Sequence, residues 1–165
     1  MSYTSHAKKS YTISRVDNVD IVDKDIRILD SFGKPSNEGR VEYRGEGEWG
    51  TICSMGNNKL AAKKICQDIG YKNGEWKSPS DQRSKNFCKT FKSRNHCGAK
   101  NQLIHFYNVR CSELDTNFDS CNKQLIDPSI CSHDFDAIIH CFNENYEVEK
   151  TIPEGTIRLN SIRKD

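Results

Sequence analysis

At 165 residues the chain has room for one domain with tails or two very small ones. Only 35% of its residues are hydrophobic, and mean hydropathy is -0.80, against the roughly 45–50% apolar content of typical globular chains on a count that also includes Gly. That excludes a fold held by a large apolar core alone. No run approaches the roughly 18 apolar residues of a membrane helix, and a formal net charge of +2 identifies no class of partner.

Eight cysteines supply a restraint that the thin core lacks. Zinc would favour paired C-x2-C or C-x4-C knuckles, and none occurs. The nearest neighbours are Cys88 and Cys97, then Cys111, Cys121, Cys131 and Cys141 at even steps. That spacing suits disulfides between elements in an oxidising, extracellular compartment.

Residues 1–25 are polar, mixed in charge and free of cysteine, and read as a flexible leader. Met1 opens into MSYTSHAKKSYT, which has no apolar signal-peptide segment. The chain therefore reads as a piece of a longer secreted or cell-surface protein. Ile26-Arg27-Ile28-Leu29 is a short strand ended by Ser31, Gly33 and Pro35. Gly39 to Tyr43 alternates as a strand, and Trp49 to Cys53 returns after a Gly45–Gly47 turn, with Trp49 expected in the core. Asn57 or Asn58 can cap a helix over Lys59–Ile69. Its apolar face is Leu60, Ala61, Ile65, Cys66 and Ile69; Lys63, Lys64 and Asp68 are expected toward solvent, and Gly70 ends it.

From Tyr71 to Gln102 the sequence reads as a long polar loop with Phe87, Cys88 and Phe91 as anchors. Leu103 to Val109 is a buried strand running into Cys111, and a turn or short helix with Leu114 and Phe118 leads to Cys121. Ala137 to Cys141 is the last strand. Residues 143–165 read as a linker. Within them Thr156–Ser161 echoes Ile26–Ser31, either by coincidence or as the start of a following repeat.

Four stretches together resemble the scavenger-receptor cysteine-rich (SRCR) family. They are Gly39-Arg40-Val41-Glu42, Gly47 to Cys53, Ala62 to Gly70, and Asn108-Val109-Arg110-Cys111. The closing stretch Cys131–Cys141 resembles the family's C-x-H-x-x-D-A-x-x-x-C motif, and the thirteen-residue step from Cys53 to Cys66 is the usual one. The resemblance covers residues 26–142. It implies a small disulfide-rich α+β domain, a curved antiparallel sheet cradling one main α-helix, with long loops. It also implies the six-cysteine bridges Cys53–Cys131, Cys66–Cys141 and Cys111–Cys121, leaving Cys88 and Cys97 to pair locally, a departure from the family's eight-cysteine pattern.

Many members hold Ca2+ or Mg2+ through an Asp-Asp pair after the first of these cysteines. Here those positions are Ser54 and Met55. Asp115 aligns with a third ligand and Asn108 with part of a second site, a set too poor in carboxylates for a strong cation site. Asp134 and Asp136 read as structural. No cofactor is implied.

The more promising surface is basic. Between Lys77 and Lys100 seven cations face the single Asp81, a net of +6 with His96 neutral. Arg83, Lys85, Lys89, Lys92 and Arg94 form its centre. Such a cluster steers toward polyanionic glycans, anionic lipid surfaces or acidic proteins, while a solvated face of a Lys-rich chain is the plainer alternative. Few aromatics and no nucleic-acid-binding motif argue against nucleic acid. Cys–His couples at Cys131/His133 and His140/Cys141 conflict with the disulfide pattern, so catalysis is not expected; a zinc module on the same four residues is the rival. The chain reads as an extracellular binding or adhesion module among other domains of one parent protein, or as a structural spacer in such an array.

Overall fold

The computed structural model describes residues 13–16, 19–22, 25–127 and 129–144. Within the expected leader, β1 (Ile13–Val16) and β2 (Val19–Val22) pair antiparallel as a two-stranded sheet. The other described strands form one seven-stranded sheet. They are β3 (Ile26–Leu29), β4 (Glu38–Tyr43), β5 (Gly50–Ile52), β6 (Asn73–Trp76), β7 (Leu103–Arg110), β8 (Asn122–Leu125) and β9 (Ile138–Phe142). Its order is β6-β9-β4-β5-β7-β8, with β3 also paired to β4.

Pairing is antiparallel throughout except between β5 and β7, which run parallel. Gly50 permits that approach. A Cβ there would sit 2.7 Å from the Leu103 carbonyl oxygen and from the His105 ring, closer than real contacts allow.

α1 (Lys59–Ile69) lies against this sheet and is built as its sequence suggests. Asn58 is the N-cap, its Oδ1 accepting from the Ala61 N–H at 3.0 Å. Gly70 ends the helix in the left-handed region (φ 116°) and donates to the carbonyls of Cys66 and Gln67. Asn57 does a different job: it donates to the Cys53 carbonyl and accepts from the Val109 N–H, stapling β5 to β7 beneath the helix. The core gathers Ile28, Val41, Ile52, Ala61, Ala62, Ile65, Val109, Phe118 and Ile139.

Four disulfides lock these parts together: Cys53–Cys131, Cys66–Cys141, Cys88–Cys97 and Cys111–Cys121. No cysteine is free, which removes the zinc module and the Cys–His couples together. In the chain-entropy picture the two long-range bridges, closing separations of 78 and 75 residues, each stabilise by about 4 kcal/mol. The local bridges contribute roughly 2–3 kcal/mol each.

Several local expectations need correction. The stretch read as one long loop from Tyr71 contributes β6, whose Asn-Gly-Glu-Trp sequence shows no strand alternation. Backbone pairing to β9 holds it, and Trp76 anchors it by donating from Nε1 to the Asn58 carbonyl at 2.8 Å. β8 escaped notice for the same reason, being Asn-Lys-Gln-Leu on an edge. Lys64 is buried rather than solvated, its stem laid along the helix flank and its Nζ 3.5 Å from the Glu113 carbonyl. β7 is only half-buried, with Phe106 and Val109 reaching the core. Leu114 is 90% exposed, so only Phe118 of that segment is an anchor.

Trp49 is also misplaced by the sequence. It is half-buried outside the core cluster, bracketed by the guanidinium carbons of Arg27 at 3.9 Å and Arg44 at 4.7 Å from the ring centroid. The Thr156–Ser161 echo lies outside the described residues.

Candidate ligand-binding surface

The basic segment leaves the sheet after β6 and returns at β7, and polar anchors fix its course. Ser78 is buried and its hydroxyl accepts from the Ile138 N–H at 3.0 Å. Asp81 caps a 3-10 turn over Gln82–Ser84. The buried Ser84 hydroxyl donates to the Asp81 carbonyl at 2.7 Å and lies 2.6 Å from the Ser54 hydroxyl. Asn86, with φ 65°, donates to the Asp134 carbonyl and opens α2 (Phe87–Thr90).

Beyond α2 the chain makes its sharpest excursion. Lys92 and Ser93 are both left-handed, with φ 52° and 62°, a conformation that costs a non-glycine residue energy and recurs at functional loops. The Cys88–Cys97 bridge closes the excursion. His96 fills its base: the residue is 6% exposed, its N–H donates to the Cys88 carbonyl at 2.6 Å, and its ring meets Phe91 edge-on. Arg40 of β4 then ties the closed loop to the sheet, donating to the carbonyls of His96 and Cys97 at 2.8 and 3.1 Å. Arg40 also pairs with Glu42, which is 1% exposed and held from the other side by Arg27. Burial pushes the Glu42 carboxyl upward, but hydrogen bonds from Gln102, Arg27 and Arg40 outweigh it and hold the carboxyl below its ordinary value.

The five cations read as the centre of the site are all exposed, yet their charge is partly matched. Arg83 pairs with Asp81 at 2.8 Å, Lys89 with Asp134 at 3.0 Å and Lys92 with Glu38 at 2.6 Å. The Arg83 guanidinium also keeps Asp81 ionised below the usual carboxylate range. Lys77 pairs with Glu75 at 3.5 Å. Among the described residues Lys85, Arg94 and Lys100 have no carboxylate at ion-pair distance. Arg94 instead lies over the ring of Phe32, 4.9 Å from its centroid. Phe32 is 69% exposed on a tight turn whose Asp30 carboxylate accepts from the N–H groups of Phe32 and Lys34. The sequence marked this turn through Ser31, Gly33 and Pro35 only as the end of a strand; it gave no sign of Phe32 or of a contact with the basic segment, which is distant in the chain.

The two weak cation candidates serve the frame. Asp115 accepts from the Ser112 N–H at 2.7 Å, the contact that does most to hold its carboxyl below the ordinary value. Its grouping with Cys111 and Cys121 offers a cation one carboxylate only, since those sulfurs are bonded to each other. Asn108 is left-handed (φ 52°), donates from its N–H to the Met55 carbonyl and from its side chain to Gln124. Ser54, which stands at one of the two expected aspartate positions, is buried against Ser84. Of the two acidic residues of the closing motif, Asp134 pairs with Lys89, and Asp136, fully buried, accepts from the Gly98 N–H at 2.7 Å.

A family model for the scavenger receptor cysteine-rich domain matches residues 31–142. The chain belongs to that family. The SRCR domain is 30% identical to the third SRCR domain of murine neurotrypsin, covering 73% of this chain and 97% of that one with a TM-score of 0.53. Among curated relatives it is 31% identical to lysyl oxidase homolog 2B of Danio rerio over 76% of this chain. It is 29% identical to protein bark beetle of Drosophila melanogaster over 71% of this chain. The matches span only 15% and 3% of those two proteins. SRCR domains are non-catalytic extracellular modules of larger proteins, and the oxidase relative, matched over so small a share, assigns this domain no chemistry. Among the described residues no helix is long and apolar enough to cross a membrane.

Proposed function

We propose that residues 26–142 act as the ligand-binding module of a larger secreted or cell-surface protein, and that the clasped basic loop is the contact surface. The partner is polyanionic: a sulfated or carboxylated glycan, with an anionic lipid surface or an acidic protein sharing its chemistry. The observation that carries this reading is that Lys85, Arg94 and Lys100 are exposed and without a carboxylate partner among the described residues: Arg94 lies inside the loop closed by Cys88–Cys97, next to the left-handed Lys92 and Ser93, and Lys85 and Lys100 flank that loop three residues to either side. A closed loop loses little freedom when it binds. In the neighbouring ion pairs the cations Arg83, Lys89 and Lys92 are exposed while Asp134 and Glu38 are half-buried; such surface pairs are worth little individually and can exchange a protein carboxylate for a ligand anion.

Those same ion pairs favour the second reading, a spacer whose charges are already matched. Heparin-affinity chromatography and titration with a heparin oligosaccharide separate the two. The wild-type domain should bind with strong salt dependence, and Lys85→Glu/Arg94→Glu/Lys100→Glu should weaken binding at least tenfold with the fold intact. Equal retention of the triple variant, or no retention of the wild type above a neutral control protein, would leave the spacer.

A further inference from the structure

The loop's C-terminal limb, from Cys97 to Gln102, is fastened from below by a histidine that the binding surface does not use. His133 sits in the 3-10 turn His133–Phe135 of the closing motif, its side chain 13% exposed. One ring nitrogen, Nδ1, lies 2.9 and 3.0 Å from the two oxygens of Asp136, which is itself fully buried. The other, Nε2, lies 2.8 Å from the carbonyl oxygen of Gln102. A carboxylate and a peptide carbonyl accept hydrogen bonds and cannot give them. A neutral imidazole has one N–H, so one of these contacts would set a lone pair against a lone pair at hydrogen-bond distance. With both nitrogens protonated, both contacts are attractive.

We propose that His133 is a proton-dependent clamp: as an imidazolium it ties Asp136 to the Gln102 carbonyl and fastens the Cys97–Gln102 limb, and loss of that proton loosens the limb. Asp136 transmits the effect, since its Oδ2 also holds the Gly98 N–H at 2.7 Å. Gln102 transmits it too, with its side chain accepting from the Ala99 N–H and donating to Glu42.

The remaining groups around the ring leave this assignment in place. Thr51 of β5 offers a hydroxyl 3.3 Å from Nδ1, which accepts as readily as it donates. Arg40 of β4 opposes the second proton by its charge, but its guanidinium is engaged by Glu42 and the loop carbonyls. On the α2 side Lys89 and Asp134 offset one another. Burial pushes the His133 pKa down, and the hydrogen bond and charge of Asp136 with the Gln102 carbonyl overcome it, leaving the pKa above the ordinary histidine value. A group raised in this way stabilises the fold fully below its unfolded pKa of about 6.5 and ceases to do so as pH rises through the folded value. The limb is therefore tight in acid and looser on the alkaline side. The clamp does not depend on what the loop binds.

The test is a nitrogen-detected imidazole titration of the intact domain, combined with amide hydrogen exchange corrected for base catalysis. His133 should show both nitrogens protonated up to a midpoint above about 6.5. Between about 6.5 and that midpoint the corrected opening of the Gly98 and Ala99 amides should rise by up to about tenfold per pH unit, the limiting slope for one linked proton, and it should level off above the midpoint. His133→Gln, neutral at every pH, should abolish this pH step. A midpoint at or below the ordinary value, amide protection that passes through it unchanged, or a step that survives in the variant would each overturn the clamp. The wild-type titration decides alone if the variant does not fold. Heparin binding enters none of these readouts, so failure of the polyanion reading and failure of the clamp are separate results.

Discussion

The two sides of this small domain are held by different forces. Around α1 the buried groups are mostly apolar: Ala61, Ala62, Ile65, Val109, Phe118 and Ile139, crossed by Cys66–Cys141. Beneath the basic loop the buried groups are mostly polar: Glu42, Thr51, Ser54, Ser78, Ser84, His96 and Asp136. Apolar burial is non-directional and indifferent to pH, whereas a hydrogen-bonded charge network is geometrically exacting and fails sharply when one partner is lost. The helix side should therefore behave as the stability reserve and the loop side as the part that senses its surroundings.

Breaking the comparison at its strongest point means cutting a bridge on each side. Cys66→Ala/Cys141→Ala should lower unfolding stability by about 4 kcal/mol, a large share of what a small domain has. It should also lower the temperature at which the entire domain melts. Cys88→Ala/Cys97→Ala should lower stability by only roughly 2–3 kcal/mol and raise amide exchange mainly between residues 86 and 102. Denaturant titration with both variants checks the pair. Equal global losses would mean that the loop is part of the same cooperative unit as the helix.

The next largest effect should come from the charge network. Glu42 is buried with two guanidinium partners, Arg27 on β3 and Arg40 on its own strand, and it also receives the Gln102 amide. Glu42→Gln leaves those guanidinium groups without their anion and should lower stability by about 3 kcal/mol. Because the folded carboxyl titrates below its unfolded value, its contribution is present above the unfolded pKa and lost as pH falls through the folded one. Wild type and variant should thus converge in stability in strong acid. A gap that stays constant to low pH would assign the loss to packing instead.

How much of this was legible from the chain follows the same division. The helix side could be read closely: the 3.6-residue apolar stripe, Asn58 before it and Gly70 after it each leave a mark in local sequence. The strands carrying Ile28, Val41, Ile52 and Ile139 were visible as β-branched runs. The loop side was legible as a charge count and a local Cys88–Cys97 pair, and its course was not, because its structure rests on partners distant in sequence. Arg40 reaches carbonyls 56 and 57 residues away, Lys92 meets Glu38 at a separation of 54, and no local pattern encodes such pairs. The clamp lay between these cases. His133 and Asp136 stood in plain view in the closing motif, and their i,i+3 spacing suits one tight turn, but the Gln102 carbonyl that completes the pair could not be inferred. β6 and β8 were missed because backbone pairing, which needs no particular side chain, holds them.

Trp49 provides the finest test, since the two kinds of burial predict different numbers for one substitution. A tryptophan in the apolar core would lose about 3–5 kcal/mol on truncation to alanine, from transfer and cavity terms together. Trp49 is not there; its faces carry Arg27 and Arg44, and it is only half-buried. Exposed cation–π contacts are worth roughly 0.5–1 kcal/mol each, and both arginines keep other partners, so Trp49→Ala should lower stability by about 1 kcal/mol. Trp49→Phe retains a ring face and should recover most of that loss, where a core site would still register the missing volume. Urea titrations of the two variants resolve the difference. A loss near the core value would move the boundary between the two sides past β5 and place the Gly-Glu-Trp-Gly stretch with the apolar half.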